Sequence, residues 1–158
     1  MQTAYIETTV VSYYTARRSQ DAVIAGHQEA TIRFWELLGK AIEAYISDLV
    51  LQEAEKGDPE QAIRRLNAMA PFAVLDVEAK AQDLARILIS YKAIPEGCAG
   101  DALHIAIAAV NGLELLVTWN FSHINNPITR ILIRQCVENA GFACPEICSP
   151  DELLGGES

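Results

Sequence analysis

Short runs of apolar residues alternate along the chain with longer stretches in which apolar positions recur every three or four residues. Four of the short runs, and a weaker fifth, have the length and composition of β-strands. They lie at residues 3–6, 43–46, 72–77 and 115–118, and near 146 and 147. Strands that alternate with helices predict a parallel sheet covered by helices on both faces. The pattern therefore predicts an α/β fold of three layers.

The longer stretches predict helices, and their apolar positions predict which face of each helix is buried. Residues 101–111 are apolar on nearly all sides, so we expect that helix to lie inside the protein. Asp58, Pro59 and Gln61 form a typical helix start, with Asp58 as the cap. Three further faces are predicted from Ile24, Ile32, Trp35 and Leu38 before Gly39; from Ala81, Leu84, Ala85, Leu88 and Tyr91; and from Ile128, Ile131, Leu132 and Cys136 before Gly141.

Composition and charge narrow the class of protein. The chain has 158 residues, of which 51% are hydrophobic and 21% charged, which predicts a single folded domain over residues 1–158. No signal peptide and no membrane-spanning apolar run is apparent in the sequence, so we expect a cytoplasmic protein with reduced cysteines. The spacing of Cys136, Cys144 and Cys148 lacks the paired motif and the nearby His of a zinc site. The formal net charge of −9 excludes a broad basic face for nucleic acid.

Four polar residues from separate parts of the sequence are directed to one edge of the predicted sheet. Glu7 follows the first strand, and Glu53 lies in the opening turns of the helix after the second strand. Asp101 lies in the first turn of the helix that leads into the fourth strand, and Asn120 follows that strand. Binding sites in open parallel sheets lie beyond the carboxyl ends of the strands, so these residues are the candidates for the site.

Three carboxylates close together need a counterion, because each charge raises the pKa of its neighbours. Mg²⁺ and Mn²⁺ prefer oxygen ligands and keep coordinated waters, so either ion suits such a set. The alternative is that each acid has a local role, with Asp101 as a helix cap and Glu53 as a first-turn acid that favours the helix dipole. The spacing alone leaves both interpretations open.

Three segments of the chain resemble the motifs of PIN-domain nucleases. Residues 5–12 resemble the opening strand and turn of that family, in which Asp normally stands at the position of Glu7. Residues 100–108 resemble the helix that carries the third acid, and residues 116–124 resemble the fourth motif, in which Asp often replaces Asn120. The resemblance runs over nearly the whole chain, and the chain is most similar to the toxins of virulence-associated (VapC-type) toxin–antitoxin pairs.

The resemblance implies a parallel sheet of about five strands and a Mg²⁺- or Mn²⁺-dependent endoribonuclease that hydrolyses RNA phosphodiester bonds. It also implies a homodimer, the toxin of a type II pair, whose cognate antitoxin covers the site. Carried over to this sequence, Glu7, Glu53 and Asp101 would be the metal-binding acids. Asn120 would be a weaker ligand of metal or water, and Thr9 would hold Glu7 through its hydroxyl.

Two departures from the family pattern keep an alternative open. Glu7 is one methylene longer than Asp, and Asn120 is neutral, which favours one metal ion over two. The alternative to an active nuclease is a catalytically weakened PIN-like binding or regulatory module. An unrelated α/β domain that binds a small phosphorylated ligand is disfavoured, because the sequence has no G-x-G-x-x-G and no Walker motif.

Other polar residues near the motifs have two interpretations each. Arg17 and Arg18 could hold RNA phosphates, or they could form a solvated helix end. His123 could touch the substrate or begin a local helix. For His104, a hydrogen-bonded place in the core is favoured over a role as metal ligand.

Overall fold

The computed structural model describes residues 1–155, so the last three residues of the predicted domain lie outside the described residues. Five strands form one parallel sheet in the order β3-β2-β1-β4-β5. The strands are β1 (Gln2–Ile6), β2 (Ile42–Ser47), β3 (Ala73–Leu75), β4 (Leu115–Val117) and β5 (Glu146–Cys148). The predicted α/β class and its parallel sheet are therefore confirmed.

Seven α-helices within residues 1–155 flank the sheet. They are α1 (Thr8–Thr15), α2 (Ala22–Trp35), α3 (Asp48–Ala54), α4 (Pro59–Met69), α5 (Ala79–Ser90), α6 (Ala99–Val110) and α7 (Pro127–Asn139). A 3₁₀ turn over Pro150–Leu154 follows β5. None of the helices in this part of the chain has the length and apolar character needed to cross a membrane.

The strand order reverses beside β1, and this reversal determines where the sheet opens. From β1 the chain adds β2 and β3 on one side, and then returns to add β4 and β5 on the other. Such a reversal leaves a crevice beyond the carboxyl ends of the two adjoining strands, here β1 and β4. The backbone N–H of Glu7 donates to the carbonyl of Val117 at 3.1 Å, so the residues that follow both strands meet at this crevice.

Several helices lie as their sequences predict. Asp58 caps α4 by accepting the backbone N–H of Gln61 at 3.0 Å. The apolar face predicted on α5 is buried, except that Tyr91 comes just after the helix and is 73% exposed. α6 is buried on nearly all sides, and the residues with no exposed surface are Ala102, Ile105, Ala106, Ile107 and Ala108.

The apolar face predicted on α2 is wrong at Ile24 and Ile32, although Trp35 and Leu38 pack against the core. Ile24 and Ile32 are 38% and 45% exposed, whereas the polar residues Gln28 and Thr31 are buried. These polar side chains are buried because they have internal partners: Gln28 bonds to the backbone after α1, and the Thr31 hydroxyl accepts from Trp119 Nε1 at 2.9 Å. Periodicity of apolar residues cannot detect a face that is held by side-chain hydrogen bonds.

The apolar face predicted on α7 is also wrong. Ile133 and Val137 face the core, while Ile128, Ile131 and Leu132 are 75%, 60% and 37% exposed. Apolar residues occur on two sides of this helix, so its sequence does not determine which side faces the sheet. The consequence is an apolar surface on α7 in the described part of the protein.

Candidate metal centre

Glu7 lies at the crevice between β1 and β4, where it caps α1. Its Oε1 accepts hydrogen bonds from the hydroxyls of Thr9 at 2.5 Å and Thr118 at 2.6 Å, and its Oε2 accepts the backbone N–H of Thr9 at 3.1 Å. The residue is buried. A carboxylate at this depth needs such donors, and donors from both sides of the crevice fix its orientation.

Glu53 reaches the same place from α3, which follows β2. Its Oε1 accepts the hydroxyl proton of Thr8 at 2.5 Å and lies 2.7 Å from Nε2 of His104. Its Oε2 points toward Gly100 of α6, where an added Cβ would lie 3.3 Å from that oxygen. The glycine therefore gives the carboxylate room at the start of α6.

His104 lies one turn after Asp101 on α6 and is 1% exposed. Its Nδ1 is 2.6 Å from the Tyr5 hydroxyl, which lies 2.8 Å from the hydroxyl of Ser47. His104 is therefore a hydrogen-bonded core residue whose second nitrogen faces the carboxylate of Glu53. The signal for this position in the sequence is its spacing of three after Asp101 in a helix that is otherwise apolar along its length.

Glu7, Glu53 and His104 each offer one ligand atom, and these three atoms lie within 4.8 Å of one another. We call this group the inner cluster. Sequence reasoning directed Glu7 and Glu53 to one place but did not assign His104 to a metal-capable group. The structure places both acids against that histidine.

Electrostatics within the inner cluster favour the ionised forms of Glu53 and His104. Burial by itself would raise the pKa of Glu53, but the hydrogen bond and charge of His104, with the Thr8 hydroxyl, outweigh it and lower that pKa. Burial would likewise lower the pKa of His104, but the Glu53 hydrogen bond and the charges of Glu7, Glu53 and Asp101 raise it. Three negative charges therefore act on one buried imidazole.

The donor set of the inner cluster fits a hard divalent cation such as Mg²⁺ or Mn²⁺. Glu7 and Glu53 place carboxylate oxygens within 4.8 Å of each other, an arrangement that needs positive charge beside it. Asp101 adds a third carboxylate close enough to act on His104. Mg²⁺ binds through one or two carboxylates and keeps several waters, which this group permits.

Asp101 itself has a different nearest partner. Its Oδ2 lies 3.0 Å from Nδ1 of His123, and the same nitrogen lies 3.7 Å from Sγ of Cys98. Ligand atoms of Cys98, Asp101 and His123 all lie within 4.8 Å of one another, and all three residues are half-buried. We call this group the outer cluster.

Asn120 and the two arginines have other surroundings. Asn120 Oδ1 accepts the backbone N–H of His123 at 3.0 Å and so fixes the turn after β4. Arg17 and Arg18 are exposed beyond the far end of α1, about 12 Å along the helix axis from Glu7. The structure thus brings Glu7, Glu53, Asp101, Asn120 and His123 to one edge of the sheet, and leaves the arginines away from it.

No protein-family model and no curated protein sequence matches the chain. One solved structure with the same fold is VapBC2 from Rickettsia felis bound to a DNA fragment from its promoter. Its matched chain is 18% identical to this one with a TM-score of 0.60. The match covers 94% of this chain and 98% of that chain. Another is VapC20 from Mycobacterium tuberculosis, a Sarcin-Ricin loop cleaving toxin, which is 15% identical with a TM-score of 0.57 over 89% of this chain and 96% of that chain. These likenesses confirm the fold that the sequence motifs imply.

Proposed function

From the fold that the chain shares with the VapBC2 and VapC20 structures, we propose that it is a Mg²⁺- or Mn²⁺-dependent endoribonuclease that hydrolyses RNA phosphodiester bonds. We further propose that it is the cytoplasmic toxin of a type II toxin–antitoxin pair and acts as a homodimer. The observation that carries the proposal is the pair of carboxylates, Glu7 and Glu53, which lie within 4.8 Å of each other at the crevice of a parallel sheet.

The residues that would hold the cation are Glu7, Glu53 and Asp101, with Asn120 as a weaker ligand of metal or water. The chemistry that such a cation supplies is activation of a water and neutralisation of charge on the phosphate. Reaction by water at phosphorus needs no protein nucleophile. The acids of this chain therefore act by binding and orientation.

The hydroxyl groups around the acids keep them in place for this role. Thr9 and Thr118 hold Oε1 of Glu7, and Thr8 holds Oε1 of Glu53. His104 keeps a proton available at Nε2 for the Glu53 carboxylate and is itself held by Tyr5. Preorganised groups of this kind need little rearrangement when charge develops in the reaction.

The acidic character of the chain constrains how RNA would bind. The net charge of −9 and the distance of Arg17 and Arg18 from the acids favour contact over a small patch, dependent on the metal and weakened by salt. An acidic toxin also suits an antitoxin that covers the site with a basic segment. The exposed Ile128, Ile131 and Leu132 of α7 supply apolar surface for a partner, and light scattering measures whether the chain is dimeric alone.

The direct test is cleavage of a sarcin–ricin-loop RNA oligonucleotide, and of an unstructured RNA, by purified protein in Mn²⁺ or in EDTA. We expect cleavage in Mn²⁺ only, and we expect Asp101→Ala and Glu53→Gln to lose it. Glu55→Gln is the matched control, since Glu55 is an exposed acid two residues away in the same helix region and carries the same change in charge. Cleavage that persists in EDTA, or in Asp101→Ala, would contradict the metal-nuclease proposal.

A second candidate function is the catalytically weakened PIN-like module. The observation in its favour is that Asn120 uses its amide oxygen to cap the turn at His123, and Asp101 faces His123 rather than Glu7. Absence of cleavage of any RNA, together with no arrest of growth on expression, would favour this module. Growth arrest that is relieved by a small basic protein encoded beside this chain would favour the toxin.

A further inference from the structure

The outer cluster brings together three different kinds of donor atom. We propose that Cys98, Asp101 and His123 form a binding site for a borderline divalent transition-metal ion, of the class of Zn²⁺, separate from the oxygen-rich inner cluster. A sulfur, a nitrogen and an oxygen atom converge there within 4.8 Å of one another. All three residues are half-buried, so an ion can reach them from solvent.

The chemistry of the donors selects the class of ion. Zn²⁺ binds Cys sulfur, His nitrogen and Asp oxygen in mixed sites, and three protein ligands leave one position for water. Mg²⁺ and Ca²⁺ prefer oxygen and discriminate against thiolate and imidazole. The outer cluster has one oxygen donor among three, whereas the inner cluster has two carboxylates. The two groups are therefore suited to different ions.

The distances agree with tetrahedral coordination. Bond lengths of about 2.3 Å to sulfur and about 2.0–2.1 Å to nitrogen and oxygen place the ligands of one zinc ion about 3.4–3.6 Å from one another. In the structure Sγ of Cys98 is 3.7 Å from Nδ1 of His123, and Oδ2 of Asp101 is 3.0 Å from it. For these two pairs, changes of a few tenths of an ångström reach the tetrahedral values, and the sulfur and the carboxylate oxygen lie within 4.8 Å of each other.

The local sequence explains why the three donors meet. Cys98 is the N-cap residue of α6 but makes no side-chain capping bond, so its thiol is not used by the helix. Asp101 follows one turn later, on the same side of the helix. α6 runs into β4, so the turn after β4 returns to the start of α6, and Asn120 holds the backbone of His123 there. Both sides of the site thus belong to ordered elements.

The simpler alternative is a hydrogen bond between Asp101 and His123 alone. It does not account for Cys98, whose sulfur approaches the same nitrogen that Asp101 approaches. Nδ1 of His123 thus faces both a thiol and a carboxylate, and each of these groups can carry a negative charge. Such an arrangement suits a nitrogen that binds a cation together with both groups. Asp101 is also a ligand in the proposed nuclease site, so occupation of the outer cluster competes for it. The binding itself does not rest on nuclease activity.

Co²⁺ provides a probe of the site that needs no RNA, since cobalt bound by a thiolate gives a charge-transfer absorption in the near ultraviolet. We titrate the metal-free, full-length protein with Co²⁺ in the presence of a non-thiol reductant. We expect one equivalent to produce the absorption. We expect Zn²⁺, which is the metal most suited to tetrahedral sites of Cys and His, to displace Co²⁺ and abolish the absorption. Cys98→Ser should lack the absorption. His123→Gln should bind Co²⁺ at least about tenfold more weakly, because loss of even a supporting residue costs about 10–100-fold.

Cys136→Ser and His27→Gln are the matched controls, because they remove a free cysteine and a partly exposed histidine outside the cluster. Both should keep the absorption and the affinity. The proposal is overturned if saturating Co²⁺ gives no thiolate absorption, or if the absorption survives in Cys98→Ser. Circular dichroism verifies that each variant is folded. This experiment measures metal binding and not RNA cleavage. Its result therefore tests the outer cluster even if the protein cleaves no RNA.

Discussion

The inner cluster and the outer cluster lie at the same edge of the sheet, but they are held in different ways. Glu7 and His104 of the inner cluster are buried, and threonine hydroxyls from α1 and from the residue after β4 hold its carboxylates. The outer cluster is half-buried and depends on one turn after β4 and the first turn of α6. The inner cluster is thus a buried, preorganised group with two carboxylates, and the outer cluster is a more accessible group with softer donors.

One acid of the outer cluster is also close enough to act on the inner cluster. Asp101 acts on His104 through its charge and contacts His123 directly. Ions bound at the two proposed sites would therefore compete for this one carboxylate. Donor type, and not distance alone, distinguishes these two neighbouring groups.

The largest expected effect is a loss of RNA cleavage on substitution in the inner cluster, with metal binding at the outer cluster unchanged. Glu53→Gln removes a charge from the inner cluster only, so we expect RNA cleavage in Mn²⁺ to fall at least about a hundredfold, because metal-assisted charge stabilisation contributes several kcal/mol. The same variant should keep the near-ultraviolet cobalt absorption of the outer cluster. Loss of both properties together would mean that the two groups form a single site.

A smaller effect is expected on stability. His104→Leu keeps the volume of the side chain but removes one hydrogen-bond partner from each of Tyr5 and Glu53, so we expect the free energy of unfolding to fall by about 1–3 kcal/mol. His123→Leu alters a side chain that is 42% exposed, and we expect a change within about 0.5 kcal/mol. Urea unfolding in EDTA measures the free energy of unfolding of both variants. Equal losses would contradict the view that the inner cluster is buried and the outer cluster is accessible.

Competition between the clusters should be visible in kinetics. We expect Zn²⁺ to inhibit cleavage supported by excess Mg²⁺, because it draws Asp101 to the outer cluster. In Cys98→Ser the Zn²⁺ concentration that halves the rate should rise by at least about tenfold. The rate is measured against Zn²⁺ concentration for wild type and for Cys136→Ser as control. Identical inhibition of wild type, Cys98→Ser and Cys136→Ser would mean that zinc inhibits by binding outside the outer cluster.

The smallest expected effect concerns cysteines outside both clusters. Burial raises the pKa of the Cys144 thiol to about 11 and that of Cys148 to about 12, with nearby glutamates adding to the shift at Cys148. Both thiols stay protonated at pH 8, so alkylation by iodoacetamide should be slow and should accelerate as pH rises toward those values. Added Zn²⁺ should protect Cys98 and leave Cys144 and Cys148 unchanged, as read by peptide mass spectrometry. Protection of the latter pair would contradict this assignment.

The fold could be predicted because its signals are local. Each strand is a short apolar run bounded by turns, and α6 shows its burial directly in its composition. The faces of α2 and α7 could not be predicted in the same way. Gln28 is buried because it bonds to the backbone after α1, and Thr31 is buried because it bonds to Trp119, which is distant in sequence. α7 has apolar residues on two sides.

The candidate site could be predicted only in part, for a related reason. Glu7, Glu53 and Asp101 were directed to one edge by topology, which follows from the order of elements. The pairing of Asp101 with His123 depends on the conformation of the turn after β4, which Asn120 fixes by a side-chain hydrogen bond. The approach of Cys98 to His123 depends on the same turn. The spacing of residues in the sequence does not predict either of these contacts with His123.

Burial of α6 has a consequence for how the two clusters respond to thermal motion. Cys98 and Asp101 lie at its start, His104 lies near its middle, and the helix from Ala102 onward is enclosed by the core. Amide protons inside such a helix exchange with solvent only when much of the domain opens, whereas those of a half-exposed turn exchange through local fluctuations. We therefore expect the amide protons of α6 to exchange far more slowly than those of the turn that carries His123, although both line the outer cluster.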